Sequence, residues 1–198
     1  MTILFAAADR DLLSGFGRLL GARGHRVVTA FDGAQALSRL AEERPDLAVL
    51  DESLPRVPQS RLLGELNAAA VPVILLLSER PRMARFGSPA LPDSFLCYPF
   101  SPAELEDRIG RVLAETTASD FRVGSVEVRP SSRTLSGRLR VTAEEIAFLR
   151  SLADGEAPRG RDADLSALVL NEKFSRMREP IRIRYRAHEG YRVVNERE

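Results

Sequence analysis

The sequence predicts an α/β protein, a doubly wound five-stranded parallel sheet followed by a small α+β domain. Three observations predict it. Short apolar runs alternate with helically spaced segments as far as Leu113, the pattern of a parallel sheet covered on both faces. The stretch Ala114–Asp120 is polar, small and without periodicity, as a linker is. The formal charge then changes sign, from −3 over residues 1–120 to +4 over 121–198, an asymmetry that points to a nucleic-acid-facing second half. A chain of 198 residues suits one large or two small domains, at ~100–200 residues each. The expected division is 1–114, a linker at 115–120, and 121–198.

In order, Ile3–Ala6 is a short apolar run. Leu12, Leu13, Phe16, Leu19 and Leu20 have helical spacing, and Gly24 ends that helix. Arg26–Ala30 is a strand, Asp32-Gly33 a turn, and Ala34–Leu40 a helix. Leu47–Asp51, after Asp46, is apolar until its end, which suits a strand buried on both faces that delivers an acid to its carboxyl end. Open parallel sheets place their sites there. Arg61–Ala70 is a helix, Pro72–Leu77 and Ser94–Tyr98 are strands, and Pro102–Leu113 is a closing helix. Between them Pro81, Gly87, Pro89 and Pro92 leave a helix short or absent, since proline removes a helical hydrogen bond.

These segments resemble the receiver domain of bacterial two-component response regulators. The carrying residues are Ile3-Leu4-Phe5, Ala22–Val27, Asp32–Leu37, Pro45-Asp46-Leu47, Asp51 with Leu54-Pro55, Pro72-Val73-Ile74 and Pro99–Leu105. The resemblance implies a flavodoxin-like fold and phosphoryl transfer to an aspartate. That chemistry takes a Mg²⁺ held by an acidic pair after the first strand, a hydroxyl after the fourth and a lysine after the fifth. Asp51 matches the phosphoacceptor. The acidic pair falls on Ala7 and Ala8, with Asp9 alone nearby; the hydroxyl position falls on Leu77, with Ser78 one residue late; the lysine position falls on Tyr98. Phe95 matches the family's switch aromatic. A phosphoaspartate without metal or cation is strongly unfavourable in a partly buried site. The expectation is a vestigial Asp51, with no Mg²⁺ and no other cofactor.

The second half begins with alternation over Phe121–Arg129, one irregularity at Gly124, and further short strands at Thr134-Leu135 and Leu139–Val141. Thr142 followed by Glu145 is a capping box. Ile146, Leu149 and Leu152 form a helical stripe that Gly155 ends. Leu170, Phe174 and Met177 form another within Leu165–Arg178, and Pro180 stops it. Ile181–Val194 reads as a hairpin around Ala187–Gly190.

This half resembles the winged-helix effector of OmpR-type transcription regulators, through Val141–Leu149, Phe174–Arg178, Ile183-Arg184 and Gly190-Tyr191-Arg192. The middle is short by roughly ten residues on a domain of ~100. Either the first helix of the helix-turn-helix shrinks to Asp164–Val169, or one helix runs through to Arg178. Glu172 stands where the family has an apolar residue on the buried side. The resemblance implies that double-stranded DNA is contacted by a recognition helix in the major groove and by a wing on phosphates. The candidate contacts are Asn171, Lys173, Arg176 and Arg178 on the helix, and Arg184, Arg186 and His188 on the wing.

The functional expectation is a DNA-binding transcription regulator acting independently of aspartate phosphorylation. Its receiver would be a platform for a homodimer or a signalling partner. The alternative is an interaction module or antagonist that does not bind DNA. Nothing pairs a nucleophile with a base and no phosphate loop occurs, so no enzymatic activity is expected. No signal peptide, and no apolar run near the ~18 residues that span a bilayer, is seen. One cysteine and two histidines make neither a disulfide framework nor a structural zinc site. A cytoplasmic location away from membranes is expected.

Overall fold

A computed structural model describes residues 1–78, 92–156, 158, 161–187 and 189–195. The predicted break at Glu79–Pro92 lies, but for Pro92, outside the described residues. The chain divides into two compact units, Met1–Val112 and Leu113–Glu198.

The first unit is a parallel sheet in the order β2-β1-β3-β4-β5. Its strands are β1 (Thr2–Ala6), β2 (Arg26–Ala30), β3 (Leu47–Asp51), β4 (Val73–Leu77) and β5 (Ser94–Cys97). This order reverses direction between β1 and β3, the switch point at which doubly wound sheets open a crevice. Its helices are α1 (Arg10–Ala22), α2 (Gly33–Glu43), α3 (Gln59–Ala68) and α4 (Pro102–Thr117). Side chains alternate between two buried layers, as period-2 strands require. Leu4, Ala6, Ala48, Leu50, Val73 and Leu75 pack with Ala36, Leu62, Leu63 and Leu66 of α2 and α3. On the opposite face Phe5 meets Phe16 of α1, ring centroids 6.0 Å apart.

Local chemistry sets the helix starts. Asp9 caps α1 by accepting from the Asp11 and Leu12 amides, and Asp32 caps α2 through the Gln35 amide. Ser101 and Glu104 bond reciprocally at the head of α4. These bonds hold the exposed Glu104 carboxyl below its ordinary range. Gly33 is required by space: a Cβ there would lie 2.7 Å from the Val57 Cβ. Its amide donates to Pro55 O, so the loop after β3 closes directly onto α2. The expected linker is shorter than the composition suggests, because α4 continues through Thr117.

The second unit opens with an antiparallel meander of β6 (Phe121–Val123), β7 (Val126–Arg129), β8 (Thr134–Leu135) and β9 (Leu139–Arg140). The irregularity at Gly124 is a hairpin turn, where this glycine takes φ +59° and joins β6 to β7. Then come α5 (Ala143–Ala153), α6 (Arg161–Arg176), and a hairpin of β10 (Ile181–Arg186) and β11 (Gly190–Asn195). The predicted capping box is present, with Thr142 N donating to Glu145 Oε2 at 2.8 Å and Glu145 N to Thr142 Oγ1 at 3.1 Å. Of the two readings for the shortened middle, the structure takes the single helix. Val126, Val128, Leu135, Ile146, Leu149, Leu170, Phe174, Ile181 and Ile183 form the core.

Candidate functional site

Two groups of candidate residues fall in different units. The first lies at the carboxyl ends of the parallel strands. Asp51 ends β3, Leu77 ends β4, and Tyr98 follows β5. Ala7 follows β1 and is fully buried, while Ala8 and Asp9 are exposed.

Asp51 is half-buried with both carboxylate oxygens engaged. Oδ1 accepts from the Ser53 amide at 2.7 Å and the Ser53 hydroxyl at 2.5 Å. Oδ2 accepts from the Tyr98 hydroxyl at 2.7 Å. The neighbouring Glu52 Oε1 accepts from the amide and hydroxyl of Ser78 at 2.5 and 2.6 Å. Leu77 is buried, and the hydroxyl of Ser78, one residue later, turns to Glu52 rather than Asp51.

Burial raises the Tyr98 phenol well above its ordinary value. The hydrogen bond to Asp51 and the charges of Asp51, Asp9 and Glu52 act in the same direction. Tyr98 therefore stays a neutral donor. Its ring packs on Phe100 at 5.0 Å, and Phe100 on Phe16 at 5.3 Å, which anchors the phenol from α1 and β5.

A divalent cation finds no ligand set here. Ala7 and Ala8 have no side-chain oxygen, Asp9 Oδ1 is occupied capping α1, and both oxygens of Asp51 have protein donors. Among the described residues no three His, Cys, Asp or Glu side chains converge on a metal-sized site. The sequence placed these positions, but missed that Ser53 and Tyr98 are the partners of Asp51. The hydroxyl two residues after the acid was the available signal.

The second group lies on α6 and the hairpin. Two of its members have partners within the unit. Asn171 faces β10, donating to Ile183 O at 2.8 Å and accepting from Ile183 N at 2.7 Å. It satisfies the open edge of the hairpin, where strands otherwise present unpaired backbone groups. Lys173 bonds both oxygens of the buried Glu145 at 2.7 and 2.6 Å and is itself only 15% exposed. Neither side chain reaches outward.

Arg176 is exposed but ion-paired with Glu172. Arg178 is exposed beyond the helix end at φ +57°. Glu172, expected on the buried side, is exposed, because the core stripe of α6 runs through Ala163, Ala167, Leu170 and Phe174 instead. The outer face of α6 therefore carries Asp164, Leu168, Glu172 and Arg176, with Leu168 55% exposed.

The hairpin is different. Arg184 pairs in register with Arg192, Arg182 with Val194 and Arg186 with Gly190, so four arginines share one face. The other face carries Ile181, Ile183 and Tyr185 opposite Asn195, Val193 and Tyr191. Arg184 and Arg186 are exposed, and His188 lies outside the described residues. Arg182 and Arg192 were missed. The alternation Ile-Arg-Ile-Arg-Tyr-Arg was the signal for the first. Tyr191 donates to Asp164 Oδ1 at 2.7 Å, and burial, then this bond, pushes its phenol up to about 12.

No protein-family model matches the chain. It is 32% identical over 185 residues to the transcriptional regulatory protein PrrA of Mycobacterium tuberculosis, covering 87% of this chain and 79% of that protein. It is 29% identical over 162 residues to the response regulator MprA of Mycobacterium bovis, covering 76% of this chain and 70% of that one. Two solved structures match the first unit. The receiver domain of the Francisella response regulator 1452 superposes with a TM-score of 0.50 at 26% identity, covering 55% of this chain and 93% of that one. A two-component response regulator from Clostridium difficile gives 0.55 at 17% identity, covering 60% and 99%, a likeness of fold.

Proposed function

We propose, from the premise that this chain belongs to the OmpR-type response regulators, that it controls transcription by binding DNA through its second unit, without phosphorylation of Asp51. The bond from Tyr98 to Asp51 Oδ2 supports the independence from phosphorylation. A neutral phenol stands where the resemblance places a lysine, and the attacking oxygens already accept three hydrogen bonds. A phosphoryl group would meet the negative charge of Asp9 and Glu52, and among the described residues Ala7, Ala8, Leu77 and Tyr98 bring no cation against it. The chain acts as a binding protein rather than a catalyst, and its first unit serves as a surface for a second copy or a signalling partner. Among the described residues no helix is long and apolar enough to cross a membrane.

Incubation with a small-molecule phosphodonor and Mg²⁺, followed by intact mass, tests the control. No gain is expected; a gain that disappears in Asp51→Asn overturns it. Genome-wide occupancy of the tagged chain tests the DNA reading, with enrichment over an untagged control expected.

A second reading, a protein-interaction module without DNA binding, is favoured by the outer face of α6, where Asp164 and Glu172 flank the exposed Leu168. Occupancy equal to the untagged control selects it.

A further inference from the structure

The first unit has a second concave surface, on the edge of the sheet remote from Asp51. We infer that this groove, between α2 and α3, binds a second copy of the chain about a two-fold axis that runs along it, which deepens the reading of the first unit as a surface for a second copy and rests on it.

The groove follows from the topology. α2 and α3 each join two parallel strands and pack on the same face of the sheet. They therefore run side by side in one direction. Their carboxyl ends part to leave an open groove of about 720 Å³. It lies beside Pro45, just before β3, and Val71, just before β4. Asp51 is at the other end of β3. A contact in the groove thus leaves the bonds of Asp51 to Ser53 and Tyr98 in place.

Its lining divides by size. Leu37 and Leu40 of α2 are half-buried, packed on the core and also lining the groove. Ala41 of α2, with Ala68 and Ala69 at the end of α3, is exposed along the sides. The floor is leucine and the walls are alanine. The separation of packed helices depends on the side chains between them, so low walls allow a second surface to approach until it covers the leucines. Removing that apolar area from water favours the contact.

Charge selects the occupant. Arg44, which ends α2 at φ +43°, stands on one side of the groove, and Glu65 of α3 on the other. Both are exposed. The charges beside Arg44 are engaged elsewhere, Glu43 with Arg26 and Arg39 with Glu42. Among the described residues Arg44 and Glu65 have no ion-pair partner. One side is positive and the other negative, so a partner of a single charge sign meets its own sign on one of them. A second copy does not. Rotation about an axis along the groove turns α2 of each copy onto α3 of the other, and an isologous contact makes every pair twice. Arg44 of each copy then faces Glu65 of the other. An axis across the groove would instead turn α2 onto α2, like charge towards like. Exposed ion pairs add little affinity; here they set the orientation in which the leucines meet.

Sedimentation velocity of the full chain over about 1–200 μM tests this, since modest interfaces dissociate in the micromolar range. The parent is expected to pass from monomer to dimer as concentration rises. Arg44→Glu and Glu65→Arg should each weaken the dimer about tenfold or more, because like charges then meet on both sides. An equal mixture of the two variants should dimerise again, since one presents only acids at these positions and the other only arginines. That recovery also shows that both variants fold. Arg44→Glu with Glu65→Arg in a single chain should dimerise as the parent does. Ala68→Gln raises a wall without changing charge and should weaken the dimer. A parent that is monomeric throughout overturns the inference and leaves the groove to another occupant, such as a signalling protein; the DNA reading is untouched. A dimer that survives both reversals and Ala68→Gln overturns it as well, by placing the contact elsewhere. A parent that dimerises and responds as described, yet occupies no DNA, supports the inference and removes only the DNA reading.

Discussion

The hydroxyl of Tyr98, just after β5, donates to Asp51 Oδ2, at the end of β3, across 2.7 Å. The bond crosses the carboxyl edge of the sheet and closes it over the acid. Hydrogen bonds to charged groups contribute ~1.5–3 kcal/mol, so this one is a structural element of the first unit.

Tyr98→Phe should lower the stability of the first unit by ~1–2 kcal/mol near neutral pH, through the loss of that bond. The alkaline side discriminates further. The folded phenol titrates above its ordinary value of 10.0, so the stability it provides is complete below that value and is lost as pH rises above it. Urea unfolding at a series of pH values should show the alkaline decline in the parent chain and a flatter one in Tyr98→Phe. Equal slopes would mean that the phenol is not held by Asp51.

Gly33→Ala should destabilise the first unit by ~1–3 kcal/mol. The added methyl lies 2.7 Å from the Val57 Cβ, a backbone-near atom that cannot swing aside, and overpacking of that kind has this cost. The loop carrying Ser53 must shift, so the Asp51 bonds should loosen as well. Denaturant midpoints and amide exchange at Ser53 measure the two effects.

Lys173→Met should cost the second unit ~3–5 kcal/mol, because it leaves the Glu145 carboxylate buried at 6% exposure without its cation. Adding Glu145→Gln to that variant removes the stranded charge and should recover part of the loss. A double-mutant cycle by thermal unfolding gives the coupling; additive losses would show that the pair is not a unit.

Asn171→Ala should lower stability by ~1–3 kcal/mol by leaving Ile183 N and O unpaired. Where the variant is fully folded, DNA affinity should stay within a few-fold of the parent. An affinity loss at full folding would return Asn171 to the set of contacts the sequence suggests.

The parallel sheet was legible because its strands are apolar throughout and its helices have a clear period, so Leu47–Asp51 and Val73–Leu77 were placed to within a residue. The absence of ligand atoms at Ala7 and Ala8 was equally plain. What replaces them was not, since the meeting of Tyr98 with Asp51 depends on strand order across 47 positions. On α6 the apolar stripe was read correctly, yet polar side chains have no such rule. Asn171 and Lys173 have the composition of DNA contacts and the orientation of packing residues, because the hairpin edge and Glu145 claim them. The hairpin followed from its own alternation, and Arg192 was overlooked because its significance comes from the strand opposite.

The chain has three tyrosines and no tryptophan. Tyr98 lies at Asp51, and Tyr185 and Tyr191 stand side by side on the hairpin. Every phenol in the molecule is therefore next to one of the two candidate sites. Near-ultraviolet signals of the isolated first unit would come from Tyr98 above a weak phenylalanine background, and those of the second from the hairpin pair. The protein carries an optical reporter in each half, so a change at the acid and a change at the wing can be followed separately without adding a label.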